Sequence, residues 1–308
     1  MLRKKDLLGI RDLEVDEIMS IIELAKDMKP VVLGLEDKMT LLKNKSAVTL
    51  FYENSTRTRL AFTMAGSYLG AAVTDLGIAT SSVQKGETLV DTGITVDRMG
   101  IDYMIIRHSM SGAAHLLAKN VKAAVINAGD GANEHPTQAL LDLYTIYEKK
   151  GDFKGLRVTI AGDIAHSRVA RSNLFGLVKL GAHVTLAGPG TLTAKSMESL
   201  GCKVTTDVRE AVKGADVVMG LRIQMERQKG GLFPDIREYS QIYGLDEETF
   251  SYAGGDAMLM HPAPVNRGVE LMPELLDSSV SVIDEQVTNG VAVRMAILTL
   301  LNEGRKNR

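Results

Sequence analysis

The chain has 308 residues, enough for two domains that each bury a core of their own. Hydrophobic residues make up 45% and charged residues 24%, and the net charge of −2 excludes the overall basic field with which nucleic-acid-binding proteins attract their ligand. The N-terminal segment is too charged for a signal peptide, and no run reaches about 18 uninterrupted apolar residues. Together with a single cysteine, Cys202, this predicts a cytoplasmic protein with no membrane span.

The first half of the chain alternates apolar runs with helical patterns. Apolar residues recur at helical spacing from Ile18 to Met28, and Pro30 is expected to end that helix. Short apolar runs predict buried strands at 47–51, 103–107 and 123–129. Helices are predicted at 60–70, 112–120 and 136–149.

The second half repeats the same alternation. Strands are predicted at 155–163, 183–189, 215–220 and 257–262, with a helix at 168–182. Strands that alternate with helices are typical of parallel sheets covered by helices. The sequence therefore predicts the α/β class: two domains, each a parallel sheet flanked by helices, with the active site in the cleft between the domains.

The Gly- and Lys-rich stretch at 149–155 marks the expected boundary between the domains. We therefore predict a first domain at 1–150 and a second at 151–285. The last helix, within 286–308, is apolar enough to need a partner surface, and we expect it to pack back on the first domain.

Hydroxyl and guanidinium groups follow the first predicted strand. Ser55, Thr56, Arg57 and Thr58 stand where that strand ends and a helix begins. The N–H groups at a helix N-terminus are unpaired and carry partial positive charge, so this composition predicts a phosphate-binding site. It is not a Walker A loop, because no G-K-[ST] sequence is present. An ordinary N-cap beside solvated arginines is the alternative.

Further candidates follow the other strands of the first half. Arg107 and His108 come directly after an apolar run, at the carboxyl end where such folds place their ligands. Pro136 suits the first position of a helix, so His135 should lie just outside that helix, with Gln138 in its first turn. The alternative is a loop histidine with a capping glutamine.

A polar loop at 80–88 contains Ser81 and Lys85. Its serines, lysine and glycine indicate a segment that could reach an anion. A lysine in a polar loop is also commonly just solvated, and that alternative stays open.

The second half also carries polar residues at its predicted strand ends. Arg168 follows one strand and Arg222 with Gln224 follows another. The stretch that contains Ala263 and Pro264 follows the last strand. Each of these segments could also be a loop with surface charges.

Dinucleotide binding and metal binding are two other functions of this fold class, and the sequence supports neither well. The loop after the strand at 155–163 lacks the G-x-G-x-x-G sequence of dinucleotide-binding proteins. The six histidines include no i,i+4 pair and the cysteine stands alone, so no metal site is predicted.

Taken together, these motifs resemble the aspartate/ornithine transcarbamylase family, in its order and over nearly the whole chain. They are "STRTR", "KGET", "RH", "HPTQ", "SRVARS", "LRIQ" and "HPAPVNRG". Ornithine-specific members are expected to carry H-C-L-P where this chain has His261 to Pro264. That difference, with Arg222, Gln224 and the loop that contains Lys85, resembles the aspartate-specific members.

The resemblance implies transfer of the carbamoyl group of carbamoyl phosphate to the amino group of L-aspartate, in de novo pyrimidine biosynthesis. It implies that the phosphate is held by Ser55, Thr56, Arg57 and Thr58. A transcarbamylase for another amino acid, such as ornithine, and a non-catalytic homologue that serves as an assembly scaffold are the alternatives.

For the carbamoyl group, the resemblance implies that Thr58, Arg107 and His135 point at its oxygen and that Gln138 binds its NH₂. With Arg57 and Lys85, these residues form the expected catalytic set.

For aspartate, the resemblance implies that Arg168 and Arg222 take the two carboxylates with help from Gln224. Backbone groups near Ala263 and Pro264 are expected to complete the pocket.

The resemblance also implies a homotrimer, in which Ser81 and Lys85 reach into the site of a neighbouring subunit. The reaction that the resemblance implies requires neither a metal nor a redox cofactor. A regulatory chain or another enzyme of pyrimidine synthesis is a possible partner, whereas nucleic acid and membrane are not expected.

Overall fold

The computed structural model describes residues 2–77, 86–224 and 235–306. The chain divides into two compact units. One comprises Met1–Tyr144 and Thr288–Arg308, and the other comprises Thr145–Val287.

The first unit contains a parallel sheet. Its described strands are β1 (Ser46–Phe51), β2 (Ala72–Leu76), β3 (Tyr103–His108) and β4 (Ala124–Asp130). They lie in the order β2-β1-β3-β4, and every pair is parallel. The helices are α1 (Val15–Val32), α2 (Thr56–Tyr68), α3 (Leu89–Arg98), α4 (Ala113–Ala118) and the beginning of α5 (Pro136–Lys150). A short 3₁₀ helix spans Ile10–Asp12.

The three predicted strands of this unit are confirmed as β1, β3 and β4. All seven residues of β4 are buried, as are five of the six residues of β1. Continuous burial is expected when helices cover both faces of a parallel sheet. The core cluster on one side of the sheet includes Leu50, Ile106 and Leu117.

Two features of the first unit differ from the sequence prediction. The prediction that Pro30 ends the first helix is wrong, because α1 continues to Val32. Proline keeps a helical φ and removes a single N–H donor, so the last turn of a helix can contain it. Strand β2 was not predicted, because its residues lie at the sheet edge and none of them is buried.

The second unit contains another parallel sheet. Its described strands are β5 (Arg157–Ala161), β6 (His183–Ala187), β7 (Lys203–Thr205), β8 (Val217–Gly220) and β9 (Met258–Met260). They lie in the order β7-β6-β5-β8-β9, all parallel. The helices are α6 (Arg168–Lys179), α7 (Val208–Val212), α8 (Ile236–Tyr243), α9 (Glu247–Phe250), α10 (Pro273–Leu276) and the beginning of α11 (Ile283–Lys306), and a 3₁₀ helix spans Lys195–Leu200.

The core of the second unit packs against strands β5, β8 and β9. The cluster includes Ala161, Val218 and Leu259, one from each of β5, β8 and β9. Four strands were predicted here and are confirmed, whereas β7 was not predicted. It has three residues at the sheet edge and none is buried, so it carries no apolar run.

The end of the chain belongs with the first unit. Nδ2 of Asn302 lies 3.5 Å from the carbonyl oxygen of Leu41. The guanidinium of Arg305 lies 5.8 Å from the ring centroid of Tyr103 and 3.8 Å from a carboxylate oxygen of Asp102. Across the described residues, no helix is both long enough and apolar enough to cross a membrane.

Two adjacent leucines of α4 test this account of the core. The side chain of Leu117 is fully buried, whereas Leu116 is 49% exposed. We predict that Leu117→Ala lowers the free energy of unfolding by about 2–5 kcal/mol, because it leaves a cavity in the core. Leu116→Ala, the matched control, should stay within about 0.5 kcal/mol of the parent. Urea denaturation of both variants checks this, and equal losses would contradict it.

Candidate functional site

In the first unit, candidate residues follow three neighbouring strands. Strands β1, β3 and β4 are adjacent and parallel, so their carboxyl ends share one edge of the sheet. The N–H of Tyr52 donates to the carbonyl of Arg107 at 2.9 Å, which ties the end of β1 to the end of β3. His108 of β3 and Asp130 of β4 are paired in register, so the ends of these two strands also lie side by side.

Helix α2 begins at the predicted phosphate site. Ser55 is the N-cap residue, but its side chain makes no capping hydrogen bond. No acidic residue lies in the first turn, so the turn itself carries no carboxylate against the partial positive charge of the helix N-terminus. Thr58 is buried, whereas Thr56 and Arg57 are exposed. The start of α2 therefore offers N–H, hydroxyl and guanidinium donors together.

The two arginines of "STRTR" have different surroundings. Nη1 of Arg59 lies 3.2 Å from a carboxylate oxygen of Asp75, and its guanidinium lies 5.3 Å from the ring centroid of Phe51. Arg59 thus ties α2 to the sheet. Arg57, two positions earlier in the first turn, extends from the helix start as an exposed side chain.

Arg107 is held at the end of β3. Its Nε lies 3.5 Å from a carboxylate oxygen of Glu53, and its Nη1 lies 3.4 Å from the carbonyl oxygen of Ala128. Glu53 belongs to the loop between β1 and α2, and Ala128 to β4. These contacts fix the guanidinium at the edge where the three strands end. Sequence reasoning missed Glu53, whose only signal was its place beside a strand end.

His108 lies beside Arg107 and faces the ring of Tyr52, with the ring centroids 4.8 Å apart. Its Nδ1 accepts a hydrogen bond from the N–H of Met110 at 2.9 Å. Burial lowers the pKa of His108, although the carboxylates of Glu53 and Asp130 act in the opposite direction. A lowered pKa and an accepting Nδ1 both indicate a neutral ring.

Helix α5 begins at Pro136, as the sequence predicts, and His135 lies immediately outside it. The carbonyl of His135 accepts the N–H of Gln138 at 3.0 Å, which closes the first turn. Both side chains are nearly buried, with 4% of His135 and 9% of Gln138 exposed. Nε2 of Gln138 donates to Oδ1 of Asp142 at 2.9 Å. Asp142 was not singled out in the sequence, although i,i+4 Gln–Asp pairs face each other on a helix.

In the second unit, Asp163 connects two strand ends. It is fully buried just after β5 and accepts the N–H of Gln224, which follows β8, at 3.3 Å. Its other carboxylate oxygen lies 2.9 Å from Nδ1 of His166. Gly162 lets the two loops approach: its φ is +135°, and a Cβ there would lie 2.5 Å from the carbonyl oxygen of Leu221. Asp163 was missed in the sequence, although it stands at a strand end.

The predicted cations of the second unit follow the same strands. Arg168 is the first residue of α6, and the Ser167 side chain caps that helix by accepting the N–H of Ala170 at 3.1 Å. Only 3% of Arg168 is exposed, whereas Arg222 and Gln224 are partly exposed after β8.

The loop after β9 carries Ala263 and Pro264. The N–H of Ala263 donates to Nδ1 of His261 at 2.8 Å, and Ala263 itself has a φ of +50°. Glu270 is buried beneath the loop: one carboxylate oxygen lies 3.4 Å from Nε2 of His261 and accepts the N–H of Asn266 at 2.6 Å. Two internal hydrogen bonds and a buried carboxylate therefore fix this turn, and a positive φ at a non-glycine residue is tolerated where surrounding contacts hold it.

The structure thus groups the predicted residues by unit. Those placed at strand ends of the first sheet are Ser55, Thr56, Arg57, Thr58, Arg107, His135 and Gln138. Those placed at strand ends of the second sheet are Arg168, Arg222, Gln224, Ala263 and Pro264. Ser81 and Lys85 lie outside the described residues. In residues 2–77, 86–224 and 235–306, no three His, Cys, Asp or Glu side chains gather as metal ligands.

Family models match each half of the chain. One, described as the carbamoyl-P binding domain of aspartate/ornithine carbamoyltransferase, matches residues 5–148. A second, described as the Asp/Orn binding domain of the same enzymes, matches residues 154–301. The chain belongs to the aspartate/ornithine carbamoyltransferase family. The resemblance seen in the sequence is therefore confirmed.

Curated relatives of this carbamoyltransferase family match nearly the whole chain. A protein of Acetivibrio thermocellus named aspartate carbamoyltransferase catalytic subunit is 62% identical over 301 residues, which cover 98% of this chain and 96% of its own. A protein of Caldanaerobacter subterraneus with the same name is 59% identical, covering 98% and 99%.

Solved carbamoyltransferase structures share the fold. Aspartate transcarbamoylase from Trypanosoma cruzi, in complex with N-(phosphonacetyl)-L-aspartic acid, matches with a TM-score of 0.87 and 29% identity, covering 97% of this chain and 96% of its own. Ornithine carbamoyltransferase from Pyrococcus furiosus matches with a TM-score of 0.85 and 31% identity, covering 96% of each chain. The predicted fold class, two domains with a helix-flanked parallel sheet in each, is confirmed.

Proposed function

We propose that this chain transfers the carbamoyl group of carbamoyl phosphate to the amino group of L-aspartate, and so yields N-carbamoyl-L-aspartate and phosphate. One observation carries the first half of this proposal: α2 begins with Ser55, Thr56, Arg57 and Thr58, with no acidic residue in its first turn. The curated relatives, 62% and 59% identical, support the second half through their shared name. De novo pyrimidine synthesis is the pathway that this reaction serves.

Carbamoyl phosphate is assigned to the first unit. Its phosphate carries two negative charges in the bound substrate and gains more as the C–O bond breaks, and the start of α2 supplies donors and the cation Arg57. No side chain has to form a covalent bond with the phosphate, since the amine of the second substrate is the nucleophile.

The carbamoyl group is assigned to the residues around it on the same sheet edge. Attack on the carbamoyl carbon makes a tetrahedral intermediate whose oxygen is negative. Thr58, Arg107 and His135 are the donors aimed at this oxygen, and each such donor is worth roughly 10²–10³ in rate. The contact of Arg107 with Glu53 restricts its guanidinium to one region, so little reorientation is needed during the reaction. Gln138 binds the carbamoyl NH₂.

Aspartate is assigned to the second unit. Arg168 and Arg222 bind its two carboxylates, because planar guanidinium groups match carboxylate geometry with two hydrogen bonds. Gln224 assists them, and its backbone N–H is fixed by Asp163. Backbone groups at Ala263 and Pro264 close the pocket. In the chemical step the C–N bond forms and the C–O bond to phosphate breaks, with its electron pair leaving on the phosphate. Overall, one proton passes from the amine nitrogen to the released phosphate.

The assembly is part of the proposal. We assign a homotrimer in which Ser81 and Lys85 act in the site of a neighbouring subunit; the sequence motif "KGET" supports this assignment. We assign carbamoyl phosphate to the predicted domain 1–150 and aspartate to the predicted domain 151–285. The last helix is expected to pack back on the first domain. Cytoplasmic location and association with a regulatory chain or another pathway enzyme stay predictions.

The choice of acceptor is the decisive test of the proposed function. Purified protein with carbamoyl phosphate and a panel of amino acids should release phosphate fastest with L-aspartate, because two guanidinium groups face two carboxylates. Ornithine offers one carboxylate and a cationic side chain, so its kcat/KM should be at least about 10³-fold lower, in line with the cost of an unpaired charge in a polar site. Equal or faster turnover with ornithine would reject the aspartate assignment, and no turnover with any amino acid would favour the scaffold hypothesis.

The phosphate site is tested by the two arginines of α2. Arg57→Ala should lower kcat by about 10²-fold or more, because the departing phosphate loses its cation. Arg59→Ala is the matched control: Arg59 lies on the same helix but pairs with Asp75, and a pair at this exposure contributes about 0–1 kcal/mol to stability. Steady-state kinetics and circular dichroism of both variants give the result. Similar losses in the two would contradict the assignment of Arg57.

The shared site is tested by mixing two inactive variants. Lys85→Ala and Arg107→Ala should each be nearly inactive, and their mixture should regain a fraction of the parent activity once subunits exchange. This follows because some interfaces in a mixed trimer combine an intact Lys85 with an intact Arg107. If each site were built from one chain, every site would keep one lesion and mixing would restore nothing. A fully active monomer, measured by light scattering, would also exclude sharing.

A further inference from the structure

The carboxylate of Asp142 faces the side-chain amide of Gln138 in the interior of the first unit. Nε2 of Gln138 and Oδ1 of Asp142 are 2.9 Å apart, one helical turn from each other on α5. Asp142 is fully buried, and only 9% of Gln138 is exposed. We propose that Asp142 is a positioning residue, which orients the Gln138 amide so that its oxygen is directed to the NH₂ group of the carbamoyl donor.

The orientation follows from the chemistry of the two groups. A carboxylate accepts hydrogen bonds and has none to give, so the part of the amide that approaches Asp142 must be the NH₂. An amide has its oxygen and nitrogen on opposite sides, and fixing the nitrogen directs Oε1 away from Asp142. A carbonyl oxygen in that position accepts an N–H. It selects a carbamoyl group against an acyl group that carries a methyl in place of NH₂.

Arg294 is a buried cation whose charge interacts with the carboxylate of Asp142. It belongs to the same unit, on α11, with 3% exposed. Burial lowers the pKa of Arg294 to about 10, and the charge of Asp142 acts against this decrease. At neutral pH the guanidinium therefore stays protonated. A cation near a buried carboxylate favours the charged form of that carboxylate, which accepts hydrogen bonds.

Arg294 is itself fixed in place. Its Nη1 donates to the carbonyl of Gly290 at 2.6 Å, and its guanidinium lies 5.2 Å from the ring centroid of Phe62. Phe62 belongs to α2, the helix whose N-terminus is assigned to the phosphate. One buried arginine thus contacts the helix of the phosphate site and balances the carboxylate behind Gln138.

This inference rests on the proposed function, because it deepens the part assigned to Gln138. Its specific consequence concerns donor selection: the protein should bind carbamoyl phosphate more tightly than acetyl phosphate, in which a methyl replaces the NH₂. Both ligands share the phosphate and the carbonyl. The ratio of their dissociation constants therefore isolates the contact made by the NH₂.

Isothermal titration of both ligands to the parent and to variants is the test. In the parent, acetyl phosphate should bind roughly tenfold or more weakly than carbamoyl phosphate, the cost of leaving one buried acceptor unpaired. The double variant Asp142→Leu with Arg294→Met removes the carboxylate and the cation together, so no buried charge is left alone. It should lower the ratio to within about threefold of one. Inorganic phosphate should bind the parent and the double variant within about threefold of each other.

Two further variants show whether the effect passes through Gln138. Gln138→Ala should abolish the discrimination between carbamoyl phosphate and acetyl phosphate. Adding the Asp142 and Arg294 substitutions to Gln138→Ala should not lower the ratio of dissociation constants further, because the effects of residues that act through one another are not additive. Asp142→Asn should retain part of the discrimination, because its amide oxygen can still accept from Nε2 but its NH₂ can also face Oε1. This conservative variant also covers the case in which the double variant does not fold, as judged by circular dichroism.

Each outcome decides the inference. The positioning role would be overturned if the folded Asp142 variants kept the parent's ratio of dissociation constants for acetyl phosphate and carbamoyl phosphate. An equal loss of affinity for acetyl phosphate, carbamoyl phosphate and inorganic phosphate would also overturn it and would indicate a structural role. Failure of the proposed function is distinguishable, because the parent itself would then bind carbamoyl phosphate no better than inorganic phosphate. The positioning role is established if the parent binds carbamoyl phosphate more tightly than acetyl phosphate, the folded double variant and Gln138→Ala do not, and Asp142→Asn lies between them.

Discussion

The parallel direction of the strands is the constraint on which the rest of this structure depends. Every described pair in both sheets is parallel, so the carboxyl ends of β1, β3 and β4 share one edge and those of β5, β8 and β9 share another. Parallel strands need crossover connections, and each connection begins with a loop at that edge. Residues far apart in the chain, such as Arg107 and His135, thereby come to one edge without any special loop.

Buried carboxylates then fix the residues that the strand ends bring together. Asp142 holds the amide of Gln138, Asp163 holds the backbone of Gln224, and Glu270 holds the turn after β9. Burying a carboxylate destabilises the folded state unless the carboxylate accepts hydrogen bonds. Each buried carboxylate therefore favours the one geometry in which the surrounding donors reach it. The two units thus use the same physical device beside different candidate ligands.

The sequence predicted the apolar strands of the fold, and for a separate reason it singled out candidate residues for the site. Strands β1 and β4 are largely or fully buried and show up as apolar runs, whereas β2 and β7 have no buried residue and give no pattern. Candidate ligands stood out because guanidinium and hydroxyl groups follow apolar runs. The supporting residues Asp142 and Asp163 could not be separated from ordinary surface carboxylates, because only the fold shows that they are buried. The same limit applied to Pro30, whose effect depends on its place in the last turn of α1.

Stability alone does not account for the polar residues between α5 and the end of the chain. A buried ion pair loses several kcal/mol of hydration for each charge, and apolar residues of similar volume often stabilise a protein as well or better. Burial lowers the pKa of Arg294 to about 10 in spite of the charge of Asp142, which is the direction that this loss of hydration predicts. Apolar side chains at these two positions would fill the space but could not orient an amide. A glutamine that must present one face of its amide needs an acceptor on the other face, and a buried acceptor of full charge needs a cation. The requirement for orientation at Gln138 therefore accounts for Asp142, and Asp142 in turn accounts for Arg294.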